Sequence, residues 1–256
     1  MIDLHSHLLP NVDDGSRSPE QSADVLRVFA TQGVRHVVLT PHARASEIAM
    51  DPEDALERRE IAWDTLRHTD LGNTPTLHLG FEIMLDAPAP DVVLTDRRFT
   101  LAASSYVLIE FPLMVLADVA HSLLARISRA GLIPLVAHPE RYQACSPSTV
   151  AGWRETGARM QVDATTLTRP TTRGHRARQL ISSGLADVIA ADNHGDARSI
   201  VTGAEYLRRR DGVVHAQQLT LYNPNAVIDD VAMQLVPPLP LKERWRDRFR
   251  RFAQGS

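Results

Sequence analysis

The chain has 256 residues, with 28 Lys and Arg against 31 Asp and Glu and so a net charge of −3. With 43% hydrophobic and 23% charged residues, this composition excludes whole-chain disorder, collagen and coiled coil, and the length suits one α/β barrel or at most two domains. The slight acidity disfavours a dedicated nucleic-acid binder, and one cysteine makes neither an internal disulfide nor a zinc finger, which points to a reducing compartment.

Short β-branched runs alternate with longer helical patterns, as the repeated βα units of a parallel sheet do. The first strand is predicted at 2–4. Ser18-Pro19-Glu20-Gln21 then offers an N-cap, a proline at the first helical position and Gln at the third, with Gly33 after the helix. A strand at 36–39 precedes a charged helix that opens at Asp51-Pro52-Glu53-Asp54 and runs towards His68. Strands at 76–79 and 106–109 follow, then a helix over 117–130 stopped by Gly131, and a strand at 133–137. The remaining pattern is helix 149–156, strand 159–163, helix 174–183 stopped by Gly184, strand 187–191 and helix 200–210.

Seven strands, with no Gly-x-Gly-x-x-Gly or Walker-type loop, favour a closed or nearly closed barrel over an open nucleotide-binding sheet. Pro237-Pro238-Leu239-Pro240 stops regular structure, dividing the chain into a barrel, 1–236, and a basic tail, 237–256. No leader precedes Met1, and no apolar run approaches the ~18 residues of a membrane span, so a soluble, cytoplasmic protein is expected.

In a parallel α/β barrel the functional residues sit where strands end and βα loops begin. His5 and His7 follow the first strand, with Asp13-Asp14-Gly15 in its loop. His42 and Glu82 follow the second and third, Glu110 ends the fourth, His138 follows the fifth, and Asp192 and His194 follow the seventh. Six of seven strands thus deliver His, Asp or Glu to one rim. Packing does not require this, because unpaired charge in a pocket is costly, whereas a cluster of divalent cations compensates all of these groups together.

Imidazoles mixed with carboxylates and no thiolate suit Mn, Fe or Zn. His5 and His7 project to the same side of an extended segment and so reach one ion. A carboxylate such as Glu82 can bridge two ions, and ions ~3.5–4 Å apart clamp the attacking and leaving oxygens of phosphoryl transfer. Each signal alone has a plainer reading: a His-x-His exposed or bonded within the fold, Glu110 as a strand-end carboxylate, Asp192 as a helix cap. Spacing does not choose between Asp13 and Asp14, since Asp13 could cap the turn before Gly15. His36, His68, His78, His121, His175 and His215 have no strand-end position. A cysteine-based phosphatase is excluded, because Cys145 would need Arg six positions on and that residue is Ala151. A serine nucleophile elbow is absent too.

Together these residues resemble the PHP (polymerase and histidinol phosphatase) superfamily. More narrowly, the chain looks like the bacterial tyrosine phosphatases of capsule and exopolysaccharide loci. The blocks that carry the likeness are Ile2-Asp3-Leu4-His5-Ser6-His7, Val12-Asp13-Asp14-Gly15, Gly33-Val34-Arg35, Glu82-Ile83, Leu108-Ile109-Glu110-Phe111, Ala137-His138-Pro139-Glu140-Arg141-Tyr142 and Ala191-Asp192-Asn193-His194, spread from Met1 to about Pro224.

The resemblance implies a distorted seven-stranded (β/α) barrel of the PHP type holding up to three Mn²⁺, with Fe or Zn also admitted. It places His5, His7, Glu82 and Asp192 on the first ion. Glu82 would bridge to a second, completed by Glu110 and His138, and Asp14, His42 and His194 would hold the third. Arg141 would bind the substrate phosphate, with Glu140 beside it. Arg198 is a second arginine of this kind, about one residue nearer the last histidine than the family pattern. Asp163 stands where an uncharged polar residue is expected, and Ala43-Arg44-Ala45-Ser46 is less basic than the family segment.

The implied activity is hydrolysis of phosphotyrosine on a tyrosine-rich segment of a polysaccharide-export kinase. The alternatives are a small-molecule phosphatase such as a histidinol phosphatase, and a metal-binding regulatory module with little turnover. Tyr142 and Phe111 either flank a substrate ring or pack within the fold. In the tail, 242–252 holds six basic and two acidic residues, with Leu241, Trp245, Phe249 and Phe252 at helical spacing. Such a segment suits peripheral contact with an anionic membrane, a partner kinase, or packing on the barrel. No oligomeric state follows from the sequence.

Overall fold

The computed structural model describes residues 1–241; the amphipathic pattern predicted over 242–252 lies outside the described residues. Among the described residues nine strands form: β1 (Ile2–Ser6), β2 (His36–Leu39), β3 (His42–Arg44), β4 (Thr76–Leu79), β5 (Glu82–Met84), β6 (Tyr106–Glu110), β7 (Ile133–Ala137), β8 (Arg159–Asp163) and β9 (Val188–Ala190). The helices are α1 (Pro19–Thr31), α2 (Ala45–Met50), α3 (Pro52–Arg67), α4 (Asp91–Thr95), α5 (Ala117–Arg129), α6 (Pro147–Glu155), α7 (Ala164–Thr168), α8 (Thr172–Ser182), α9 (Ile200–Arg208), α10 (Val213–Gln217) and α11 (Asn223–Ile228). Among the described residues no helix is long and apolar enough to cross a membrane.

Every strand pair is parallel, in two sheets of order β1-β2-β4 and β3-β5-β6-β7-β8-β9. A single ladder of seven strands is therefore not what forms. The predicted second and third strands each continue past a break and change sheets. Pro41 has no N–H to give the ladder, and the chain resumes as β3 with Glu82 N donating to Pro41 O at 3.0 Å. At the matching point Gly80 passes so close to Leu101 that a Cβ would lie 3.0 Å from its Cδ2, and β5 follows. On the far side β1 meets the segment after β9 through the Ser6–Asn193 bridge, with His7 N donating to Asn193 O at 2.7 Å and Asp192 N to His5 O at 3.0 Å.

The predicted helices form with their caps. Ser18 Oγ accepts from Gln21 N at 3.2 Å, and Asp51 Oδ1 from Asp54 N at 3.2 Å. Gly33 and Gly131 close α1 and α5 at φ 81° and 89°, the left-handed conformation that costs glycine nothing. Helix α6 starts earlier than predicted because Ser146 caps it. The short α2, α4 and α7 and the segment from α10 to α11 had no periodicity long enough to read.

Alternate residues along the strands serve two cores. Val107, Ile109, Val136 and Val162 pack under the helices. Leu4, Val38, Leu108, Leu135 and Val188 face a second cluster that Ala226, Val227 and Met233 complete. Tyr106 anchors that end, its hydroxyl donating to Val231 O at 2.8 Å. Residues 233–241 then run without regular structure over α8, where Leu239 N donates to Ile181 O at 3.3 Å.

Candidate metal centre

All nine acidic and imidazole side chains singled out at the rim converge. Their donor atoms form four overlapping groups, each with its atoms within 4.8 Å of one another: His7, Asp14, His42 and His194; His5, Glu82 and His138; His5, His7 and Asp192; His42, Glu82 and Glu110. His5, His7, Glu82, His138 and Asp192 are buried. The backbone is strained at two of them, His138 with φ 33° and Asp192 with φ 49°. Such left-handed non-glycine residues collect where function over-determines geometry.

Glu82 stands at the centre. Its Oε2 lies 3.1 Å from His5 Nε2, 3.3 Å from His7 Nε2 and 3.0 Å from His42 Nδ1, and its Oε1 2.9 Å from His138 Nε2. Asp192 Oδ1 is 3.4 Å from His5 Nε2 and 3.5 Å from His7 Nε2. Yet Glu82 Oε2 and Asp192 Oδ1 are buried with no hydrogen-bond donor. These two oxygens and the Nε2 atoms of His5 and His7 border common space without a bond between them and an N–H, as donors around a cation are disposed, while Glu82 Oε1 is within bonding distance of His138 Nε2. Glu110 adds its Oε1 3.7 Å from His138 Nε2. Asp14 Oδ1 lies 3.5 Å from both His42 Nε2 and His194 Nε2.

The electrostatics agree. Burial would raise Glu82, but His5, His138 and His42 hold it well below the usual carboxylate range. Burial, and then the charge of Glu82, push Glu110 up to about 7. Burial opposes charge on His5, yet Glu82 and Asp192 raise it. Carboxylates this close either take protons or share cations, and the hard-to-borderline donor set suits Mn, Fe or Zn.

Two supporting residues fix the imidazoles. Asp13 Oδ2 lies 2.8 Å from His7 Nδ1 and also accepts from His42 N at 2.9 Å. Burial opposes its charge, but His7 holds it at about 2. Gln161 Oε1 lies 2.8 Å from His5 Nδ1. With Nδ1 donating in each case, both Nε2 atoms face inward as acceptors. Asp13 thus stands behind His7 while Asp14 reaches the cluster, a choice that spacing left open. Gln161 has no ionisable group and sits inside β8, two residues before Asp163, so strand-end chemistry does not single it out.

Arg141, in the 3-10 turn Pro139–Arg141, bonds through Nη2 to Asp192 Oδ2. Arg198 Nη1 lies 3.6 Å from the same oxygen, its Nε held by Asp196 at 2.8 Å. The fold therefore brings both arginines to one carboxylate. A cavity of about 500 Å³ opens over the cluster, lined by Asp14, His42, Arg44, Arg58, Glu110 and Arg141 among others.

The profile of the family described as "Capsular polysaccharide synthesis, CpsB/CapC" matches residues 1–229. The chain belongs to the CpsB/CapC family. The tyrosine-protein phosphatase CpsB of Streptococcus pneumoniae is 30% identical over 246 residues, covering 90% of this chain and 99% of that protein. The tyrosine-protein phosphatase YwqE of Bacillus subtilis (strain 168) is 27% identical over 252 residues, covering 95% and 98%. Crystal structures of YwqE and pneumococcal CpsB, described as unique metal-dependent tyrosine phosphatases, provide a match with a TM-score of 0.73 at 24% identity. It covers 95% of this chain and 100% of that one, which shows a shared α/β fold.

Other candidates in this CpsB/CapC chain fall outside the cluster. Tyr142 and Phe111 are buried, the Tyr142 hydroxyl donating to Ala137 O at 2.8 Å and accepting from Phe111 N at 3.1 Å. They pack within the fold and present no face to a substrate ring. Glu140 does not grip Arg141 directly; its Oε1 accepts from Asp163 N at 2.9 Å. His36 and His78 pair with each other at 3.1 Å, away from the centre.

Cys145 is buried, and burial pushes its thiol up to about 12. It is not a nucleophile at neutral pH. Cys145→Ser is expected to keep kcat/KM within about twofold, since a buried uncharged loop side chain remote from the donors changes no transition-state contact. Native protein should also resist thiol reagents at pH 8, as followed by Ellman titration.

Proposed function

We propose that the protein is a metal-dependent protein tyrosine phosphatase that hydrolyses phosphotyrosine on a polysaccharide-export tyrosine kinase and so regulates capsule or exopolysaccharide synthesis in the cytoplasm. The observation that carries this reading is the set of buried donors gathered around Glu82 in a chain whose relatives are named tyrosine-protein phosphatases over nearly their whole length. In this reading His5, His7, Glu82 and Asp192 hold one Mn²⁺, Glu82, Glu110 and His138 a second, and Asp14, His42 and His194 a third. When bound, such cations polarise water and phosphoryl oxygens and offset the charge that builds up in the transition state.

The chain's own residues do the rest. Asp13 and Gln161 keep the His7 and His5 rings turned inward. Arg141 lines the cavity and binds phosphoryl oxygens, and Arg198, which approaches the same Asp192 oxygen, assists. A phenolate with an intrinsic pKa near 10 departs more readily than an alkoxide, so the demand for a proton donor at the leaving group is modest. The corners at Pro41 and Gly80 and the meeting of β1 with Asn193 support reading the two sheets as one distorted seven-stranded PHP-type barrel. The catalytic unit is then 1–236, with 237–256 as an appendage.

The test is turnover of a phosphotyrosine peptide, histidinol phosphate and p-nitrophenyl phosphate, before and after EDTA and after adding Mn²⁺, with metal analysis of the protein. The phosphotyrosine peptide should be preferred. Chelation should lower turnover by about 100-fold or more, since metal assistance supplies several kcal/mol, and Mn²⁺ should restore it. Preference for histidinol phosphate, or turnover indifferent to chelation with no metal retained, would overturn the reading.

A further inference from the structure

Asp163 is an acidic residue buried at the carboxyl end of β8. Its Oδ1 accepts from Thr165 N at 2.7 Å and Thr166 N at 2.9 Å, capping α7. Capping does not call for an acid, because Asn and Ser cap as well. Its second oxygen, Oδ2, lies 3.5 Å from Arg141 Nη2. Its backbone N–H donates to Glu140 Oε1 at 2.9 Å, so the turn carrying Arg141 is tied to the end of β8 by two contacts.

On its other side the same Nη2 bonds to Asp192 Oδ2. One guanidinium therefore lies between two buried carboxylates while still lining the cavity. Asp192 has a second duty facing His5 and His7; the Asp163 carboxylate caps α7, faces Arg141 and repels the buried Glu140. A carboxylate behind a guanidinium holds its plane, and it also subtracts from the field that an anion in front of it meets.

We propose that Asp163 is a positioning residue that holds Arg141 against the cavity wall and, by sharing its charge, weakens the site's grip on inorganic phosphate so that the product leaves. This rests on the phosphatase reading of the same site. Phosphate near neutral pH is a mixture of monoanion and dianion, both attracted to Arg141, so loss of the opposing negative charge outweighs the looser hold on the arginine.

Asp163→Asn and Asp163→Ser both keep a cap for α7 and remove the charge. In the full-length, metal-loaded protein, calorimetric titration with inorganic phosphate should show binding about 5–10-fold tighter in both variants, where tenfold corresponds to about 1.4 kcal/mol. Phosphate inhibition of p-nitrophenyl phosphate turnover should tighten in parallel. The gain should vanish when Arg141→Ala is added. A purely structural cap would leave phosphate affinity where it was. Unchanged or weaker binding in both folded variants, or tightening that persists without Arg141, would overturn the proposal. The calorimetric arm reads phosphate whether or not phosphotyrosine is turned over, so failure of the functional reading and failure of the role given to Asp163 are separate results.

Discussion

Glu82→Gln is expected to lower kcat by about 10³-fold and to remove at least one metal ion per chain, as read by turnover and elemental analysis. Gln has the same shape, so the fold is kept, but an amide has one acceptor oxygen where the carboxylate offers two negative ones. Glu82 uses both: Oε2 faces His5, His7 and His42 at 3.0–3.3 Å and Oε1 faces His138 at 2.9 Å. An NH₂ group turned to either side meets imidazole nitrogens and cannot bridge cations. The catalytic loss follows from losing electrostatic stabilisation at the reacting phosphoryl group, where even one donor is worth about 10²–10³.

Stability should fall as well. His5, His138 and His42 hold the Glu82 carboxyl well below the usual carboxylate range, so its charge is favoured by folding, and the metal-free variant should melt below the metal-free parent near neutral pH. A Glu82→Gln protein with full metal content and turnover within about fivefold of the parent would remove Glu82 from the centre of the site.

Gly15→Ala should cost about 2–4 kcal/mol of stability, as overpacking against an immovable neighbour does, and should weaken metal binding at the His7 and Asp14 end. An added Cβ would lie 2.1 Å from His7 O, 2.5 Å from His7 Cβ and 2.9 Å from Asp13 Oδ1. The first of these atoms is backbone. It cannot retreat without breaking the bond from Ser16 N to His7 O at 2.9 Å, and moving His7 carries Asp13 with it. For a chain of this size that is a fall in Tm of about 4–16 °C.

Gly152→Ala is the matched control. Gly152 lies inside α6 with nothing within 4 Å of the position a Cβ would take. Alanine there should raise stability by about 0.5–1 kcal/mol, because glycine loses more backbone entropy in a helix. Calorimetry of the two variants together separates a packing clash from a general response to alanine. Equal Tm values for the two would contradict the close approach at Gly15.

The donors at strand ends were legible because strand periodicity and strand-end placement are local properties. His5 and His7 share a side for that reason, and Glu110 and His138 follow from where apolar runs stop. The breaks at Pro41 and Gly80 were visible as residues, yet their effect was not. A proline ends a ladder wherever it falls, but only neighbouring chains decide whether the strand resumes in another sheet, as β3 does beside β5. Likewise Asp13 and Asp14 are adjacent and chemically equal along the chain. Contact with His7 Nδ1 and His42 N is what sets Asp13 behind the cluster.

The amino-acid order by itself determined the alternation of strands and helices, the identity of the rim groups other than the choice between Asp13 and Asp14, and the exclusion of thiol chemistry, because each follows from side-chain type and short-range spacing. Tertiary structure alone decided that Gln161 steadies His5, that Arg141 and Arg198 reach one carboxylate, that Tyr142 and Phe111 are packing residues, and that Asp163 faces Arg141. These are meetings of atoms from distant segments. Their distances depend on how sheets turn at corners and how buried charges are matched, and no local pattern encodes that.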